Sequence, residues 1–114
     1  TRTLLALIRR IRSWLPRGGQ DCSLYRSGIA KATNRNYGDA IADYSAAIQV
    51  LDGPPDVKAM STYNRALAYS SIHDDEKAAE DLAAVLEMPG LSERIKREAR
   101  ERRERIRKRD EKRG

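Results

Sequence analysis

Two stretches decide the fold: Tyr25–Ile48, YRSGIAKATNRNYGDAIADYSAAI, and Tyr63–Leu86, YNRALAYSSIHDDEKAAEDLAAVL. Superimposed at a shift of 38 residues, Gly28, Ala40, Tyr44 and Ala47 fall on Ala66, Ala78, Leu82 and Val85. Tyr25, Ile29, Ala30, Asp43 and Ile48 fall on Tyr63, Leu67, Ala68, Asp81 and Leu86. Small residues return where helices must touch, and large apolar residues return beside them. Self-similarity at such a period marks stacked structural units. Stacked units present binding surfaces, so the expectation is a non-enzymatic protein.

Within each unit the apolar spacing is helical. Residues 22–34 and 38–51 are predicted as one helical pair, with Ala40, Ile41, Tyr44, Ala47, Ile48 and Leu51 facing inward. Asp52-Gly53-Pro54-Pro55 then breaks the chain. Asp56 is the predicted N-cap of a third helix reaching Ile72. His73-Asp74 turns the chain into a fourth helix over 75–87, whose first turn suits Asp75 and Glu76. Met88-Pro89-Gly90 stops it, and Ser92 is the predicted cap of a last helix toward Asp110. There Ile95 and Ala99 are expected to face inward. Opposite charges four apart (Glu93–Arg97, Glu98–Arg102, Glu101–Arg105, Glu104–Lys108) should support the helix on its wet side.

These hairpins resemble tetratricopeptide repeats. The family sets a small residue in a first helix, an Ala early in the second, then a large apolar residue and a small one. Gly28, Ala40, Tyr44 and Ala47 fit that pattern, with Tyr37 as the aromatic before the second helix. In the second unit Val85 departs from it, and so does the turn His73-Asp74-Asp75. The extra length of this period is expected in a loop at Gly53–Val57. The resemblance implies an all-α fold: a short solenoid of two hairpins over 21–52 and 57–89. It also implies a concave groove lined by the first helix of each pair. Tyr25, Arg26 and Ile29 would supply one side, and Met60, Tyr63, Asn64 and Leu67 the other. Lys96, Arg97 and Arg100 would form a basic wall. Tyr25 and Tyr63 could equally be core. The chaperone-tail clamp of the family is not matched, because Tyr25 and Ile29 stand where it needs Lys and Asn.

Outside the repeats the composition changes. Leu4, Leu7, Ile8, Ile11, Trp14 and Leu15 form one face of a predicted amphipathic helix over 2–15, followed by a linker at 17–20. Leu4, Ile8, Ile11 and Trp14 would pack against the domain, a second copy or a partner. The net charge of +6 divides into +5 over residues 1–20, −5 over 21–90 and +6 over 91–114. An acidic body between basic ends bears on partners rather than on fold. The groove that the resemblance implies, apolar on its floor and basic on one side, would suit a protein or peptide partner with apolar anchors and some acidic character. An anionic membrane surface or nucleic acid, bound through the basic ends, is the alternative. Acids interleave through 98–104 and no aromatic alternates with the arginines, so nucleic acid is the less expected ligand. A third alternative is an assembly segment of a larger enzyme.

No metal or cofactor is expected. His73 is the only histidine, Cys22 the only cysteine, and no phosphate-binding Gly loop is present. No apolar run is long enough to cross a membrane, and the expected compartment is the cytoplasm.

Overall fold

The computed structural model describes residues 19–113, and all regular structure among them is helical. Five helices follow in order: α1 (Gln20–Thr33), α2 (Tyr37–Gln49), α3 (Pro55–Ser71), α4 (Asp75–Leu86) and α5 (Glu93–Arg113). Each packs on its successor, and α1 also meets α3. The described residues extend over 62 × 28 × 20 Å. The amphipathic helix expected over 2–15, with Leu4, Ile8, Ile11 and Trp14, lies outside them.

The repeat is physical as well as textual. Both tight hairpin turns place a residue in the left-handed region, Arg35 (φ 62°) and His73 (φ 64°), 38 positions apart. In the first turn Asn36 N–H donates to Lys31 C=O at 2.8 Å and Arg35 N–H to Ala32 C=O at 3.0 Å. In the second, Asp74 N–H donates to Tyr69 C=O at 2.9 Å and His73 N–H to Ser70 C=O at 3.1 Å. The same bonds at the same shift close both helix ends, so the carbonyls left over by helix geometry are satisfied identically.

The small–large pairs explain the packing. Ala40 and Tyr44 are buried in a first core cluster with Ala68, and the half-buried Tyr25 and Ile41 lie against it. A methyl group on Gly28 would sit 2.6 Å from Tyr44 Cε1, so the phenol ring occupies the space that a glycine leaves. The second cluster joins Ala66, Ala78, Leu82 and Val85 to Leu91, Ala99 and Ile106. There the small residue is Ala and its large counterpart the smaller Leu. Close helix approach needs only that the sum of the two volumes fit.

Helix ends follow the sequence with five corrections. Gln20, expected in the linker over 17–20, opens α1, and residues 55–57, expected in the loop over 53–57, already belong to α3. Ser92 caps α5, its Oγ accepting from Ile95 N–H at 3.2 Å. Asp74 caps α4, accepting from Lys77 N–H at 3.2 Å. Asp56, expected as a cap, instead sits in the first turn of α3, because Pro55 opens that helix. Pro suits a first helical turn, whose N–H has no partner in any case. Leu51, expected inside, is 87% exposed, because α2 ends at Gln49 and leaves it in the turn. The last helix runs on to Arg113 rather than stopping at Asp110. Ile106 anchors that extension at 3% exposure.

Candidate functional site

α1 and α3 lie side by side and bring several of the expected groove residues together. Asn64 Nδ2 donates to Tyr25 Oη at 3.2 Å and to Met60 C=O at 2.9 Å, tying the two helices across their shared face. Burial raises the Tyr25 phenol above its ordinary value, and the bond to Asn64 works against that rise. Ile29 remains 38% exposed, Arg26 is exposed, and Met60 and Leu67 are half-buried. The face therefore presents apolar side chains with a fixed phenol–amide pair between them.

Tyr63 does not belong to that open face. Its ring is 4% exposed within the second core cluster, and its hydroxyl donates to Glu98 Oε2 at 3.1 Å. α5 covers it, so the core reading of this tyrosine holds and the groove reading fails. Burial pushes its phenol up, against the pull of the neighbouring Arg102 guanidinium.

The basic wall also differs from the expected one. A cleft of about 40 Å³ opens between α3, α4 and α5. Its floor is Ala66, Leu67, Leu82 and Ile106, and its rim is Ser70, Arg102, Arg105 and Arg109. Arg97 is exposed on α5 and takes no part in it. Steps of three and four residues place Arg102, Arg105, Ile106 and Arg109 along one side of the helix. Sequence reasoning could have found this from Ile106: the buried residue sets which arginines face inward. Leu67 belongs both to the expected groove and to the cleft, so the two are continuous.

The charges on α5 do not pair as the four-residue spacing suggests. Among the described residues none of the four expected pairs closes. Instead Arg107 bridges Glu104 and Glu111, and Lys96 stands 3.8 Å from Glu93. Arg109 and Arg113 reach Asp75 at the start of α4, at 3.3 and 3.6 Å. Asp75 is buried, so it fastens the far half of α5 to the body as well as favouring the helix start. Deeper in the fold, Arg65 makes a two-pronged ion pair with Asp81 (2.8 Å at both contacts) and donates to Ser45 Oγ at 3.0 Å. That residue joins α2, α3 and α4.

What the geometry defines is an all-helical protein with an apolar face that runs into a small basic cleft. None of its helices among the described residues is long and apolar enough to cross a membrane. Comparison with protein-family models, curated proteins and solved structures found no match.

Proposed function

We propose that this chain is a tetratricopeptide-type stack that binds a protein partner, taking a peptide or helix on the α1–α3 face. The observation that carries the reading is the Asn64–Tyr25 bond beside the partly open Ile29, Met60 and Leu67. A polar pair held in place between apolar side chains gives a ligand both buried area and a fixed register. The repeated turns and the recurring small–large pairs support the family resemblance, since they make the two hairpins equivalent units. The role is non-enzymatic: a scaffold or adaptor surface, with the cytoplasm as its proposed compartment.

Selection of displayed helical peptides on the full chain tests this. Enriched peptides should lose binding to Ile29→Glu, which should keep the parent's melting temperature, and to Asn64→Ala, which should stay folded while losing about 0.5–1.5 kcal/mol with its bonds to Tyr25 and Met60. Failure to enrich any peptide, or enriched peptides indifferent to both substitutions, refutes the reading.

A further inference from the structure

The cleft between α3 and α5 carries more charge than the fold needs. Arg109 is held by Asp75 at 3.3 Å. Arg102 is half-buried, with its guanidinium near the hydroxyl of Tyr63. Neither Arg102 nor Arg105 has an ion-pair partner within 4.0 Å among the described residues. Two guanidiniums thus stand at the rim of a cavity of about 40 Å³ with an apolar floor. Such an opening suits one small planar anion whose stem is hydrocarbon. A guanidinium meets a carboxylate in two parallel hydrogen bonds, and such charge-assisted pairs are the stronger kind.

We propose that this cleft seats a carboxylate side chain from an acidic amphipathic helix of a protein partner, held between Arg102 and Arg105. The proposal rests on the protein-binding reading above and names the chemistry of the partner. Leu67 links the cleft to the α1–α3 face, so one ligand helix can lay its apolar side along Ile29 and Leu67 and its acidic edge into the cleft. A nucleic-acid backbone fits less well. It needs a continuous run of positive charge, whereas Glu101 and Glu104 interrupt the next stretch of α5 beside Arg100, Arg105 and Lys108.

The test uses the full chain and a fluorescein-labelled peptide of about 16 residues, long enough to form a helix. It carries Leu at helical spacing flanked by Glu; a twin carries Gln in place of every Glu. Anisotropy in about 0.15 M salt should show the Glu peptide binding about tenfold or more tightly than its twin. Arg105→Glu should abolish that preference, and Arg105→Lys should weaken it. Arg103→Glu, the same charge change at an exposed site outside the cleft, should leave it within about threefold. Equal binding of both peptides overturns the carboxylate site while sparing the protein-binding reading. Equal losses from Arg103→Glu and Arg105→Glu overturn it in favour of a diffuse basic field. Displacement of the peptide by single-stranded RNA, with both variants affected alike, overturns it in favour of a polyanion surface. No binding of either peptide below about 1 mM also overturns it, and the displayed-peptide selection then decides the broader reading separately.

Discussion

Gly28→Ala isolates the contact on which the repeat is built. A methyl group there would meet Tyr44 Cε1 at 2.6 Å, Cδ1 at 2.7 Å and Cζ at 3.1 Å. Carbon atoms in contact prefer about 3.5–4.0 Å, so the overlap is about 1 Å. The ring has little room to retreat: Tyr44 is 2% exposed, and the Tyr25 ring lies 6.2 Å away, tilted by 45°. Overpacking of this kind costs about 1–3 kcal/mol. Against it stands a gain of about 1 kcal/mol for Ala over Gly within a helix. The net expectation is neutral to about 2 kcal/mol destabilising. Gly38→Ala is the control, because nothing lies within 4 Å of its methyl group. It should stabilise by up to about 1 kcal/mol. Urea unfolding should therefore separate the two variants by about 1–3 kcal/mol, equivalent to several degrees in melting temperature. Tyr44→Leu in the Gly28→Ala background recreates the Ala66/Leu82 pairing of the second unit. That double variant should be less destabilised than the sum of its parts, by about 0.5–3 kcal/mol. Strict additivity, or a Gly28→Ala as stabilising as Gly38→Ala, would refute the small–large account of the stack.

Other substitutions test other parts of the fold. Arg65→Leu strands Asp81, whose side chain is 10% exposed, and should cost about 3 kcal/mol in chemical denaturation. Adding Asp81→Leu should recover much of that loss; no recovery would mean the packing of the Arg65 stem, not its charge, matters. Burial pushes the Tyr44 phenol up to about 12 from an ordinary 10, with the nearby Tyr25 and Asp43 adding to the rise. A folded-state value above the unfolded one means full stability below pH about 10, lost as pH climbs toward about 12. Melting temperature against pH should fall across that window, less steeply in Tyr44→Phe; parallel curves would rule Tyr44 out as a cause. Arg35→Gly and His73→Gly relieve left-handed backbone at φ 62° and 64°. Each should raise stability by about 0.5–1 kcal/mol, less than the full left-handed penalty because glycine also loosens the unfolded chain. A loss in either would show that its side chain contributes contacts worth more than the strain.

The helical class and the pairing of helices were legible because small and large residues alternate with a fixed shift. Gly28 and Tyr44 announce a close crossing whatever surrounds them, and Ala66 with Leu82 repeats it. Helix ends were legible where one side chain decides them, as at Ser92; Asp74 was read only as part of the turn, and its capping bond to Lys77 N–H emerges from the structure. Asp56 misled because a proline one position earlier starts the helix without needing a cap. Leu51 misled because helical spacing continued past the point where the chain leaves the helix. A periodic pattern marks which residues share a face, not where the backbone stops.

The site was harder to see for a reason peculiar to α5. Twelve Lys or Arg against six Asp or Glu over residues 91–114 leave most faces of the helix looking alike. Pair spacing cannot orient it, since exposed ion pairs are worth only about 0.2–0.5 kcal/mol each and exchange partners freely. Burial outweighs them: a fully buried Ile contributes about 1.5–3 kcal/mol, more than several such pairs together. Ala99 and Ile106 therefore set the rotation of α5, and the arginines fall where that rotation leaves them. Arg102 and Arg105 reach the cleft for this reason, and Arg97 does not. Substituting Ile106 with Ala should then do two things at once: cost about 2–5 kcal/mol of stability and weaken any ligand preference that depends on Arg105. A variant that loses the stability but keeps the full carboxylate preference would mean that α5 is oriented by its charges after all.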